Sequence, residues 1–405
     1  MYRVSDALRQ QAWDNTLREQ SLVRDIFVAL TGTYIDEPRI MPADVIFDVQ
    51  NSVTVGANSV TVGLLMNLSG AGTYGNTSLL GREEDQVVKN VQLYSNEVKH
   101  GVPTEQFGYY AWLKRPYNVV GMVQPQLSRW HMEERGFLIR TSLCELYSKN
   151  LTATPVALTQ GINSSVYFAG VADSAQPAYS ATLATYVGNI STVAAAITTT
   201  PTAINQLNIN VLNSVASYAA TTKQIEGINL NGETVYVMTI PSTQAIFMRD
   251  PQTTANGGAL ANVAQRSDTR GRDVNQAYVG FLFNWGPLML IEDPRAPRVK
   301  ITAGPAAVVF SYYEPGNTDN RAVPSSNVWD VSFLLGRAAL GLFTMEQLHF
   351  EDEDQDYGRI KSIGAFANYG YNLMQYNDST PDTPSDTTLR NQGSMLVFLL
   401  SKLTV

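Results

Sequence analysis

Asn51-Ser-Val-Thr-Val-Gly56 and Asn58-Ser-Val-Thr-Val-Gly63 are one hexapeptide written twice, and the reading of this stretch decides the fold. Val53 and Val55 alternate with polar residues, and Val60 and Val62 repeat the pattern, which is the period-two signature of a half-buried strand. A glycine-rich tip follows, Ser69-Gly-Ala-Gly-Thr-Tyr-Gly75, and then an acidic turn, Leu80-Gly-Arg-Glu-Glu84. A return arm from Val87 to Val98 places Val87, Val91 and Leu93 on one face. An isolated two-stranded ribbon is marginal in water, so its apolar face must lie on something else. The expected cover is a neighbouring copy of the same chain. On that reading Val53, Val55, Val60, Val62, Tyr74, Arg82, Glu83, Glu84, Val91 and Leu93 are candidate intersubunit contacts.

The composition bounds the rest. With 405 residues and 44% hydrophobic content, the chain can build a sizeable core in two or three domains, or in one elaborated α/β chain. Charged residues make up only 16%, which fits either a surface covered by partners or a soluble protein rich in Ser, Thr and Asn. The net charge of −8 argues against a dedicated nucleic-acid binder, which needs basic clusters to displace counterions, but allows a protein that encloses DNA without adhering to it. The single cysteine, Cys144, rules out an internal disulfide framework and reads as a buried small residue. The N-terminus lacks a signal-type apolar core, and no run of about 18 apolar residues occurs, so synthesis in the cytoplasm is expected.

Outward from the ribbon, residues 5–30 read as a helix capped by Ser5 or Asp6, either a core helix or an arm packed across a neighbour. Gln124 to Lys149 reads as a long helix with Pro125 in its first turn, about 39 Å in length. Residues 151–205 are nearly uncharged and read in part as a loop-rich insertion. Ala203 to Ala220 reads helical. Ile225 to Pro241 is a hairpin turning at Asn231-Gly232. Ser242 caps a short helix through Met248. Val279 to Ile291 is apolar and broken at Gly286-Pro287, and Val308 to Tyr313 is a short strand. Trp329 to Phe343, with Gly336, Ala338, Ala339 and Gly341, reads as a helix packed closely on a sheet. Glu351 to Asp356 is an acidic turn, and Met395 to Leu400 a final strand.

No constellation argues for catalysis. Gly70-Ala-Gly-Thr-Tyr-Gly75 matches a dinucleotide fingerprint in letters, but such a site needs a helix opening at the glycines, and no helical period follows. His100, His131 and His349 stand far apart, with no second ligand at zinc spacing. The run containing Glu351, Asp352 and Asp354 could hold a hard cation, but it lacks EF-hand spacing; the favoured reading is a solvated turn or a partner for arginines across a subunit contact. No catalytic residue, metal site or cofactor is therefore expected.

The order of the pieces resembles the major capsid proteins of tailed bacteriophages with the Hong Kong 97 fold, and several motifs resemble the N4-like branch. These are Gly70 to Glu84 followed by Val98-Lys-His100-Gly-Val102, then Asn231-Gly-Glu-Thr-Val-Tyr-Val-Met238 with Arg249-Asp250, Leu334-Leu-Gly-Arg-Ala-Ala339, and Asp356-Tyr-Gly358. The resemblance implies an α+β fold with five regions. Residues 1–48 would be an N-terminal arm and 49–104 an extended loop overlapping the next subunit. Residues 105–150 would hold the spine helix of a peripheral domain, 151–342 an axial domain, and 343–405 a return to the peripheral domain. It further implies self-assembly into hexamers and pentamers of an icosahedral head shell around double-stranded DNA, with portal, scaffold and decoration proteins as partners. The location implied is the virion, with no membrane contact. The competing readings are a tail-tube or decoration protein, and a nucleotide-binding enzyme built on Gly70–Gly75.

Overall fold

The computed structural model describes residues 26–27, 30–32, 44–50, 59–65, 72–81, 83, 88–103, 119–144, 165–171, 206–230, 233–249, 281–301, 308–311, 328–355, 360–377 and 389–401. Two sheets organise them. A four-stranded sheet runs in the order β1 (Ile46–Gln50), β13 (Leu340–Gln355), β14 (Ile360–Leu373), β4 (Asn96–Pro103). Here β1 pairs in parallel with β13, and the other neighbours are antiparallel.

The nine-stranded sheet is built around β12 (Val328–Leu335). Its path runs β11 (Val308–Ser311), β10 (Arg298–Ile301), β12, β7 (Glu233–Pro241), β9 (Leu288–Asp293), β8 (Phe281–Trp285). Off that path, β17 (Ser394–Leu400) pairs with β12 and with β5 (Ser165–Phe168), and β6 (Ile228–Leu230) pairs with β7. Two short ladders complete the β structure: β2 (Ser59–Leu65) with β3 (Val88–Tyr94), and β15 (Gln375–Asn377) with β16 (Leu389–Asn391). The helices are α1 (Val119–Leu143), α2 (Ile209–Ser217), which runs into a π turn at Tyr218–Thr222, and α3 (Ser242–Arg249). Among the described residues no helix is long and apolar enough to cross a membrane.

The nine-stranded sheet is buried on both faces. Trp329, Val331, Phe333 and Leu335 of β12 point into one core, with Leu396 and Phe398 of β17 and Leu138, Ile139 and Leu143 of α1. Leu334 points into a second core, with Met395 and Val397 of β17 and Val211, Leu212 and Val215 of α2. This double burial corrects the expected helix at Trp329–Phe343. A strand covered on both sides loses its alternation, and a short continuous apolar run cannot be told from a buried helix by period. The small residues serve the corner between β12 and β13. A Cβ on Gly336 would strike the Glu226 carbonyl oxygen, and Ala338 has a φ of 51°.

Helix α1 joins the two sheets. Its C-terminal half enters the core of the nine-stranded sheet, while Val123 and Leu127 pack with Phe350, Ile363 and Ala365 of the four-stranded one. Arg140 makes a buried bidentate pair with Asp293 of β9, at 2.9 and 2.7 Å, and its guanidinium lies 5.1 Å from the Phe27 ring centre. The Ser142 hydroxyl donates to the Tyr371 carbonyl of β14 at 2.8 Å. The helix begins earlier than expected, so Pro125 lies inside it rather than in the first turn.

Other expectations fare variously. The hairpin across 231–232 is present, with Leu230 opposite Glu233. The apolar segment broken at Gly286-Pro287 is the β8–β9 hairpin. Asn208 caps α2 by accepting from Val211 N at 2.9 Å, which sets the helix start later than the pattern suggested. Residues 165–168 of the uncharged span form β5, parallel to β17. The acidic run is not a turn through Gln355, because 351–355 continue β13 in register with 360–364 of β14. Strand β4 belongs to the four-stranded sheet, and β17 lies in the nine-stranded sheet rather than beside β13 and β14. The expected helix over 5–30 lies outside the described residues up to 25; Ile26, Phe27 and Leu30 are buried in the core against α1.

Candidate functional site

The ribbon forms as its alternation predicts. Strands β2 and β3 pair antiparallel from Ser59↔Tyr94 to Leu65↔Val88, with Val62 opposite Val91 and Val60 opposite Leu93. The return arm splits at Ser95, and β4 leaves for the four-stranded sheet.

Where the ribbon's apolar face lies is a correction. Val62 (1% exposed), Val91 (6%) and Leu93 (0%) are covered by their own chain, as is Leu64. They pack with Phe47 and Val49 of β1, Phe343 of β13, Ala338 and Met374, and half-buried Val60 lies against the same cluster. Gly341 makes room, since a Cβ there would stand 2.8 Å from Leu93 Cδ2 and 3.0 Å from Phe47 Cζ. Asn372 of β14 locks the base by accepting from Tyr94 N at 3.1 Å and donating to the Tyr94 carbonyl at 2.9 Å. The four-stranded sheet thus carries α1 on one face and the ribbon base on the other. The sequence could not show this cover, because its members come from residues 47–49 and 338–374.

The tip is different. Among the described residues the exposed large hydrophobic side chains are Tyr74 (84%), Leu79 (57%), Leu80 (86%) and Val88 (44%), all between the ribbon's two strands or at the start of the second. Exposed apolar residues scattered singly need no explanation, but a cluster confined to one loop marks an interaction surface. The tip holds a defined local shape. Gly75 and Gly81 take φ values of 71° and 78°, which favour glycine. The Thr77 hydroxyl donates to the Tyr74 carbonyl at 3.1 Å, Leu80 N donates to Ser78 Oγ at 3.2 Å, and Gly81 N donates to Glu83 Oε2 at 2.7 Å. Residues 72–81 are loop and turn, so no helix N-terminus is offered to a phosphate there.

The other candidate contacts divide. Tyr74 and Glu83 are exposed at the tip. Val53, Val55, Arg82 and Glu84 lie outside the described residues. Glu351 is exposed on β13, and its Oε1 stands 3.5 Å from His349 Nε2, while Glu346 Oε1 stands 3.6 Å from His349 Nδ1. Asp352 and Asp354 are placed by their backbones opposite Ile363 and Lys361 of β14. No group of three or more His, Cys, Asp or Glu residues is placed to hold a metal among the described residues. Leu79, Leu80 and Val88 were not singled out from the sequence, although two adjacent leucines in a polar, glycine-rich tip were the signal that could have found them.

Comparison with solved structures bears on this arrangement over nearly the whole chain. A chain of the capsid of Ralstonia phage GP4 superposes with a TM-score of 0.62 at 15% identity, covering 94% of this chain and 92% of that one. A chain of the cyanophage Pam1 capsid gives a TM-score of 0.60 at 17% identity, covering 94% and 93%. The acidic stable capsid of Helicobacter pylori bacteriophage KHP30 gives 0.57 at 15% identity, covering 93% and 92%. The chain has the fold of phage capsid proteins. It is an α+β fold of mixed sheets and few helices, and the coverage leaves no large part of the chain unaccounted for. No family model matches the sequence, and no curated protein matches it.

Proposed function

We propose that this chain is the major capsid protein of a tailed bacteriophage. Many copies form hexamers and pentamers that close an icosahedral head shell around double-stranded DNA. The observation that carries the reading is that, among the described residues, the exposed large hydrophobic side chains lie at the ribbon tip, in a chain with the phage capsid fold along almost its full length. A ribbon whose base is buried on its own chain but whose tip exposes Tyr74, Leu79 and Leu80 is built to be covered by another copy. The tip is pre-shaped by its glycines and by side chain–backbone hydrogen bonds of Thr77, Ser78 and Glu83, which lowers the ordering cost of docking. Each contact can be modest, because a shell multiplies it.

In this proposal the fold is of the Hong Kong 97 type, N4-like branch. The ribbon and tip are the extended loop, the four-stranded sheet with α1 the peripheral domain, and the nine-stranded sheet the axial domain. Residues 1–48 act as the N-terminal arm. Glu351 and the acidic strand after it meet arginines of a neighbour, and portal, scaffold and decoration proteins are the further partners. The role is structural, in the virion, after synthesis in the host cytoplasm. Electron microscopy of the purified chain tests this: closed shells are expected, and tubes or rings would transfer the protein to the tail.

A further inference from the structure

His131 is buried at the seam where α1 meets the four-stranded sheet. Among the described residues neither ring nitrogen makes a well-formed hydrogen bond, and the backbone group that acts on the ring is that of Ala365. The ring faces the Ala365 backbone of β14, one helical turn beyond Leu127, which packs with Val123, Phe350, Ile363 and Ala365. Trp130 beside it is flanked by two imidazoles. His131 meets its edge at 4.9 Å and 83°, and His100 of β4 stacks on it at 4.5 Å and 24°. His100 stands directly opposite Ala365 in the β4–β14 register, so both histidines share one side of the sheet.

The charged groups around this seam oppose a proton on His131. Those acting on it are His100, from β4, and Arg135, one turn on along α1, and both are positive when charged. Of the carboxylates on α1, Glu133 accepts from Arg129 and Arg295, and Glu134, half-buried, acts on Tyr369. On β4, Glu97 pairs with Lys99. On β13, Glu346 and Glu351 bracket His349, which stacks on Phe366, a residue alternating in β14 with helix-facing Ala365. From β13 the helix-facing residue at this point is Phe350.

We propose that His131 is an acid-operated latch: its neutral imidazole lets α1 seat on the four-stranded sheet, and its protonation unseats the helix. A neutral imidazole tolerates an apolar seam, whereas an imidazolium with only the Ala365 backbone to face and two cationic neighbours is poorly held there. Burial, reinforced by His100 and Arg135 against the weaker opposing pull of the Ala365 backbone, lowers its pKa from 6.5 to about 4. The sign follows from linkage. The open state takes up the proton first, so the latch is fully closed above pH 6.5, weakens as pH falls, and changes no further below about 4. At pH 5 the opening equilibrium rises about 30-fold over its high-pH limit.

The test uses the full chain with isotope-labelled histidine. Only three histidines exist, so His100→Gln and His349→Gln variants assign the signals. The His131 resonance is expected to stay neutral to below pH 5, and titration at the ordinary histidine value would overturn the proposal. Amide exchange over 119–143, corrected for intrinsic rate, should accelerate about 20-fold between pH 7 and pH 5 relative to β17. That acceleration should vanish in His131→Gln and persist in His349→Gln. Equal acceleration in wild type and His131→Gln would overturn the latch, and if the variant does not fold, the wild-type titration and exchange still decide.

Discussion

Replacing Tyr74, Leu79 and Leu80 together by Ser separates what the ribbon does for its own chain from what it does for a neighbour. Burying a large apolar side chain fully is worth about 1.5–3 kcal/mol. Scaled by exposures of 84, 57 and 86%, the three hold about 3–7 kcal/mol that folding has left unused. If a neighbour covers half of it, each contact loses about 2–3 kcal/mol in the variant, a weakening of about 30- to 150-fold. The tip's own shape should survive, because its hydrogen bonds use the backbone of Tyr74 and Leu80 rather than their side chains. The assay is assembly against concentration, by light scattering and sedimentation, with thermal unfolding measured alongside. The threshold for particles should rise at least 30-fold, while unfolding of the single chain shifts by no more than about 0.5 kcal/mol. Particles at the wild-type threshold would refute the reasoning, since the exposed cluster would then have no partner.

Three further outcomes are expected. Leu93→Ala, at the ribbon base, should destabilise the isolated chain by about 2–5 kcal/mol in denaturant unfolding, because Leu93 fills a core against Gly341 and Phe47. Arg140→Ala should cost about 3–5 kcal/mol by stranding Asp293 in the interior, and pairing Arg140→Met with Asp293→Leu should recover most of it, read from the same denaturation midpoints. Gly81→Ala should raise the assembly threshold several-fold with little change in melting temperature, because a left-handed residue costs about 1–2 kcal/mol and only the exposed tip is disturbed.

Local chemistry made the ribbon, the hairpin at 228–241 and the terminal strand legible from the letters alone. Alternating valines, an Asn-Gly pair and a bounded apolar run specify backbone shape within a few residues, and such signals do not depend on distant packing. The lack of a helical period after the glycines likewise argued against a phosphate loop at Gly70–Gly75. Three features could come only from the assembled chain. Residues 329–343 are strand, turn and strand because β17 and β10 flank β12 and cores press on both faces, so the alternation that would have declared a strand was erased. The acidic stretch 351–355 is held extended by pairing with β14, whatever its local polarity. The ribbon's base lies on its own body because Gly341, Phe47 and Phe343 come together there from segments some 300 residues apart. A period records that a face must be covered, and only the fold says by what; here it covers the base and leaves Tyr74, Leu79 and Leu80 exposed.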